Sequence, residues 1–391
     1  MNISGQFPYL IKKVYKFHNF IYNKVYKLRI VFLKKTAEKT EIGHKRTKKS
    51  RGEDMDEKIY RLFPECKDYL WGGERLKTEY GKITDKTPCA ESWELSFHKD
   101  GLTKIADGRT LKEVVTPGML GKNCERSQFF PVLIKLIDAK RNLSVQVHPS
   151  DDYALKYENS YGKTEMWYIV GAEEGAGIYC GFKRDTSKEE FLDYLNKGKV
   201  EELLNFIPVK KGESYFIASG TVHAIGAGCL ICEIQQNSNL TYRVYDYNRR
   251  GADGKLRELH VDKAVNVINF KKYAPVTFEN EAGENGKILA KCNYFNVSEL
   301  ELDGEKEIFN PNSFTSVTVV EGAGEISGEN INSGEINGGN KGDKFKKGDS
   351  FFISCGVKAE IKGKASIIIT DVPDAHTDCD RQVGGRCVRD K

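Results

Sequence analysis

The chain is predicted to be a mainly β protein in which one β-barrel has been duplicated, with a small helical insertion. Two observations carry this. From Ile59 onward, short runs rich in β-branched and aromatic residues (PVLIKLI, SVQVHP, MWYIV, SYFIA, LICEIQQ, TYRVYDY) alternate with Gly, Pro, Asn and Asp, the pattern of short strands joined by turns. The segment KGESYFIASG (residues 211–220) then returns as KGDSFFISCG (residues 347–356), an echo that a repeated structural unit leaves behind.

In chain order, residues 1–55 read as a basic extension ahead of a start at Met55. Residues 1–54 hold 14 Lys+Arg against 4 Asp+Glu, so the net +5 of the whole chain leaves the remainder mildly acidic. A nucleic-acid-binding protein is therefore not expected, because the positive charge belongs to the extension and not to the folded part. The extension reads as disordered or as a mis-called start; its aromatics among lysines offer a membrane or nucleic-acid tether as the alternative. Residues 56–270 read as the first barrel. Within it residues 187–206 carry leucines at helical spacing behind a capping box, Ser187 with Glu190. Residues 275–372 read as the second barrel, with 321–342 a Gly- and Asn-rich loop inside it, and 373–391 as a disordered tail.

No run approaches the roughly 18–20 apolar residues that span a bilayer, so no membrane partner and a cytoplasmic location are expected. The ten cysteines have no secreted-scaffold spacing and read as free thiols. Cys229 and Cys232 form a CxxC inside the apolar run GCLICEI, where strand geometry sends the two thiols to opposite faces, an arrangement of core residues and not of a redox pair.

Four residues in the first barrel have metal-ligand chemistry. Gln146 and His148 stand two apart in SVQVHP and so share one face of a strand. Glu165 opens the next apolar strand, and His223 follows a glycine turn. Two imidazoles, a carboxylate and an amide oxygen suit a divalent ion of borderline softness, zinc first. The second copy keeps the strand but has Ala359 where the first has His223, so a metal-free second barrel is expected.

QVHP, GKTE, GTVHAIG and QQNSNLTYRVYDYNR occur in this order, supported by YLWGG (residues 69–73) and ESWELSFH (residues 91–98). Together they resemble the short bacterial and archaeal form of class I mannose-6-phosphate isomerase, a cupin, across residues 56 to about 372. Ala218 departs from the family's usual proline. The resemblance implies a jelly-roll cupin fold and one zinc per chain on Gln146, His148, Glu165 and His223. It further implies Arg243 as the catalytic arginine, Glu233 as an active-site glutamate and first candidate for the proton shuttle, and Ser144, Lys163 and Arg249 as contacts to a hexose phosphate. Moving a proton between C1 and C2 through a cis-enediol needs an acid/base group and a stabiliser of oxyanion charge, and no redox cofactor. The alternative is a non-catalytic metal-containing cupin that binds a sugar or sugar phosphate.

Overall fold

A computed structural model describes residues 58–251, 254–278, 282–328, 331–332 and 342–374. The basic extension, and the tail from residue 375, lie outside them. The described residues belong to one compact unit.

The site-bearing half runs β1 (Ile59–Leu62), β2 (Glu65–Lys67), β3 (Glu91–Leu95), β4 (Phe97–His98), β5 (Gly101–Leu102), β6 (Val132–Ala139), β7 (Val145–Val147), β8 (Glu165–Ala172), β9 (Gly177–Phe182), β10 (Leu204–Pro208), β11 (Ser214–Ile217), β12 (His223–Ile225), β13 (Cys229–Gln236) and β14 (Tyr242–Tyr245). Six of these make a sheet in the order β11-β8-β13-β6-β3-β2, and five make a second, β10-β9-β12-β7-β14. The sheets face each other: Ile137, Trp167, Ile169 and Ile231 of the first share a buried cluster with Ile178, Cys180 and Ile225 of the second. This is the two-sheet architecture of a jelly roll.

Alternation sorts the side chains. On β13 the odd residues Cys229 and Ile231 point into the space between the sheets, while Leu230, Cys232 and Ile234 point out against the other half of the molecule. The CxxC thiols therefore do lie on opposite faces, and both are free. A strand buried on both faces has no polar side to reveal, hence the unbroken apolar run in the sequence.

The helical insertion is shorter than residues 187–206. The helix (α2, after α1 at Asp151–Tyr157) covers only Lys188–Asn196. Gly198, at φ +68°, ends it, and a 3₁₀ turn at Val200–Leu203 leads into β10. Half of the expected capping box forms: Ser187 Oγ accepts the Glu190 N–H at 3.1 Å, while the Glu190 carboxylate turns to Arg184. Nor is it the lone helix, since α1 and several single turns punctuate the strands. Its Phe191 joins Val145, Val147 and Val244 in covering the outer face of the five-stranded sheet.

The remaining strands are β15 (Ala282–Gly283), β16 (Gly286–Lys291), β17 (Asn296–Phe309), β18 (Thr315–Gly328), β19 (Ile331–Asn332), β20 (Asp343–Lys346), β21 (Ser350–Ile353) and β22 (Lys358–Asp371). They form one nine-stranded sheet that also takes in β1, paired antiparallel to β21. The first described strand thus belongs with the last ones. Residues 321–328, expected as part of a loop, are the continuation of β18 against β22. Their glycines are there for close approach: a Cβ at Gly322, where φ is +83°, would sit 2.1 Å from the Lys364 carbonyl oxygen. Composition alone read that as a turn signal.

The repeated decapeptides have one conformation. Each is a four-residue strand, β11 or β21, preceded by a glycine at φ +90° (Gly212, Gly348) and followed by one near φ +80° (Gly220, Gly356). Three residues beyond, the copies part. His223 meets polar partners, whereas Ala359 is fully buried among Ile308, Val317, Phe351 and Ile361.

Candidate metal centre and active site

β7 lies between β12 and β14, and Gln146 is the register partner of His223 on one side and of Arg243 on the other. Across the gap, Glu165 opens β8, and Glu233 on β13 lies in register between Lys135 of β6 and Trp167 of β8. Local strand pairing in two sheets, rather than any long loop, therefore assembles the site.

His148, Glu165 and His223 bring their ligand atoms within 4.8 Å of one another, all buried. Each imidazole directs Nδ1 at a backbone carbonyl, His148 at Leu240 (2.9 Å) and His223 at Thr221 (2.8 Å). A carbonyl only accepts, so Nδ1 carries the proton and Nε2 presents its lone pair. Metal-ligating histidines are oriented in this way. Burial holds both rings neutral, pushing His148 well below the usual range and His223 down to about 4.

The His223 lone pair then faces Glu165 Oε1 at 3.2 Å, and that buried oxygen has no hydrogen-bond partner. Two electron-rich atoms so close call for a proton or a cation between them. Burial, with the nearby charge of Glu233, pushes the Glu165 carboxyl up to about 7. The Lys163 ammonium already sits on Glu165 Oε2 and 3.2 Å from His148 Nε2, so the donor set takes positive charge. The Gln146 amide lies 3.3 Å from His223 Nε2, where a half-turn presents its oxygen. Among the described residues these donors fit a divalent metal.

Beside them, Glu233 Oε1 accepts from Lys135 at 3.0 Å and Oε2 from Trp167 Nε1 at 3.0 Å, with Lys163 Nζ 3.7 Å away. Burial pushes the Glu233 carboxyl up, but Lys135 and then Lys163 outweigh it and hold it down to about 2. The same contact raises Lys135, which also faces Glu91 at 3.8 Å.

A cavity of about 240 Å³ opens on this group, lined by Ser144, Gln146, Lys163, Glu233 and Arg243, with Lys135, Glu91 and Arg257. Glu233 and Arg243 thus face one space, although β13 and β14 lie in different sheets and do not pair. Nor is Glu233 bonded to Arg243; its partners are Lys135, Trp167 and Lys163. Arg249 does not line this cavity: its guanidinium bonds Asp246 and the Asn142 carbonyl and lies over Tyr247. Tyr69 and Trp71 of the YLWGG motif add a stacked aromatic wall, ring centroids 5.5 Å apart.

Lys135, Glu91 and Arg257 escaped the sequence reading. Lys135 had a signal, as a lone cation in the otherwise apolar run PVLIKLI. Arg257, in a stretch of charged residues, had none.

Comparisons with known proteins identify the family. The family description "phosphomannose isomerase type I, catalytic domain" matches residues 59–182, and "mannose-6-phosphate isomerase, cupin domain" matches residues 285–372. The mannose-6-phosphate isomerase ManA of Bacillus subtilis is 36% identical over 317 residues, 78% of this chain and 96% of that protein. The mannose-6-phosphate isomerase of Streptococcus mutans is 36% identical over 265 residues, 66% of this chain and 83% of its own length. The crystal structure of the mannose 6-phosphate isomerase from Bacillus subtilis superposes with a TM-score of 0.71 at 34% identity, covering 80% of this chain and 99% of that one. A putative mannosephosphate isomerase from Archaeoglobus fulgidus shares the fold, with a TM-score of 0.65 at 22% identity over 83% of this chain and all of that one. The chain belongs to the type I mannose-6-phosphate isomerase family.

Proposed function

We propose that this chain interconverts mannose 6-phosphate and fructose 6-phosphate in the cavity between its two sheets, with zinc held by Gln146, His148, Glu165 and His223. The observation that carries the reading is the His223 lone pair facing the partnerless Glu165 oxygen at 3.2 Å, beside an ionised Glu233. Bound there, zinc supplies Lewis acidity toward the sugar oxygens on which negative charge develops.

The protein's own groups do the rest. Glu233 is our assignment for the group that carries the proton between C1 and C2. Held ionised by Lys135 and Lys163, it is ready to accept, and its bond from Trp167 fixes the direction of its carboxylate. Lys135 lies within hydrogen-bond reach of Glu233 and on the cavity wall, where its charge keeps that carboxylate ionised. Arg243 is a permanent cation on the strand next to Gln146 and offsets charge on the enediolate. Ser144 and Lys163 contact the sugar phosphate from the same wall. A cytoplasmic location fits a hexose-phosphate substrate.

The test is turnover in deuterated water, reading deuterium at C1 and C2 by NMR, on the wild type and on Glu233→Gln. The variant should keep its zinc and its KM while kcat falls roughly 100-fold or more. A Glu233→Gln enzyme within threefold of wild type removes Glu233 from the proton path.

A further inference from the structure

The turn that presents Lys163 and Glu165 is fastened from behind. Three consecutive backbone N–H groups, those of Gly162, Lys163 and Thr164, lie just ahead of β8, beyond the last rung of its ladder with β13, where Glu165 meets Gln235. Each finds a partner off the ladder. Gly162 donates to Asp151 Oδ1 at 2.7 Å, Lys163 to the Pro149 carbonyl at 3.0 Å, and Thr164 to Gln236 Oε1 at 2.9 Å. The Gln236 amide closes the ring, its Nε2 donating to the same Asp151 Oδ1 at 2.9 Å. A backbone donor on one side and a carboxylate on the other settle which end of that amide is oxygen.

The turn packs directly on the segment that follows His148, since a Cβ on Gly162 would lie 2.5 Å from the Ser150 carbonyl carbon. Asp151 and Gln236 thus join three stretches that each carry part of the site: the one behind His148, the one leading into Glu165, and the end of β13 beyond Glu233. Yet neither lines the catalytic cavity. Both open on a separate cavity of about 360 Å³, bordered also by Arg126, Tyr161 and Asn293. Lys163 and Glu165, two apart on an extended segment, point the same way, and the Lys163 ammonium contacts Glu165 Oε2 while lying 3.2 Å from His148 Nε2 and 3.7 Å from Glu233. A shift of the 162–164 backbone therefore moves both tips at once.

We propose that Asp151 and Gln236 are positioning residues for this site: joined by one hydrogen bond, they fix the Gly162–Thr164 backbone so that Lys163 and Glu165 enter the cavity where the metal and Glu233 require them. This rests on the metal and sugar-phosphate reading above. The clamp works through hydrogen-bond geometry and not through charge, because both donors to Asp151 Oδ1 are neutral amides and an amide oxygen can accept the same pair.

The experiment measures three quantities on the full chain: zinc affinity, by competition with a chromophoric chelator; kcat and KM on mannose 6-phosphate at saturating zinc; and the urea midpoint. The variants are Gln236→Met, Asp151→Ala, their combination, Asp151→Asn, and Asp152→Asn as a control at the neighbouring exposed carboxylate. Gln236→Met and Asp151→Ala should each weaken zinc binding about 10- to 100-fold and lower kcat roughly tenfold or more. Because the two side chains form one clamp, the double variant should fall little further than either alone. Asp151→Asn keeps the acceptor oxygen and should recover most of both quantities, and Asp152→Asn should match wild type. Folded variants that lose only urea midpoint, with zinc affinity and kcat within about threefold of wild type, overturn the proposal. So does Asp151→Asn falling as far as Asp151→Ala. Should Gln236→Met not fold, Asp151→Ala, at a half-buried residue, is held to the same limits. A chain whose zinc affinity follows the clamp but which isomerises nothing supports the clamp and refutes the isomerase reading instead.

Discussion

Replacing Lys135 by methionine separates what the buried charges do for stability from what they do for the reaction. The ammonium lies 3.0 Å from Glu233 and 3.8 Å from Glu91, with 6% of its side chain exposed. At an effective dielectric of about 20, the shorter contact alone is worth about 5 kcal/mol of attraction. Part of this is offset, because a methionine needs no desolvation and because Lys163 still faces Glu233 at 3.7 Å. Breaking one side of a buried pair leaves a net loss of about 3–5 kcal/mol, and Lys135→Met should lose about that much in urea unfolding followed by tryptophan fluorescence. Replacing both partners with apolar residues of similar size is close to neutral in such pairs. Here Glu91 keeps its 2.7 Å bond from Trp93, so Lys135→Met/Glu233→Leu should regain most of the lost stability. Activity should be absent from the double variant all the same. A single variant within about 1 kcal/mol of wild type, or a restabilised double variant that still turns over, would refute the assignment of this pair to both roles.

Two further outcomes follow from the same structure. For chelated protein, the buried neutral histidines bind fewer protons than in the unfolded chain below the ordinary value near 6.5, so their contribution is present above that pH and is lost as pH falls below it, through about 4 for His223. Glu165, raised to about 7, titrates in the opposite sense and offsets about one histidine. Stability should therefore drop by about 2 kcal/mol between pH 7 and 5, and a flat urea midpoint across that range contradicts the neutral-imidazole reading. Ala359→His tests the second half: Ala359 is fully buried opposite Ile308, so an imidazole there overpacks the core and lacks polar partners. A loss of about 2–4 kcal/mol with metal content unchanged is expected; a second bound metal would show that the position had only lost its ligand.

Much of the site was legible because metal-ligand chemistry leaves a local trace. Gln146 and His148 sit two apart, Glu165 opens a strand, and His223 follows the repeated glycine turn, so strand period and turn chemistry alone bring them near one another. The repeated decapeptide was legible for the same reason, since its positive-φ glycines punctuate the chain in both copies. What stayed hidden depends on pairing over long sequence distances. Nothing in IYRL says that β1 joins β21 almost three hundred residues on. The glycines of β18 read as a loop because close approach to β22 is invisible until the partner is known. The helix overran because Leu204 and Phe206 continue an apolar pattern that belongs to β10. Arg257 needed its place on the cavity wall to mean anything, and Arg249, closer to the motif, turned out to bond Asp246 outside the cavity.

The central claim is that the donor set of Gln146, His148, Glu165 and His223 holds the metal with which this chain isomerises mannose 6-phosphate. The most direct measurement is coupled-assay turnover of mannose 6-phosphate to fructose 6-phosphate by residues 55–391, as purified, after chelation, and after stoichiometric zinc. Activity that chelation abolishes and one zinc per chain restores is the expected result; folded, zinc-loaded protein without turnover would contradict it.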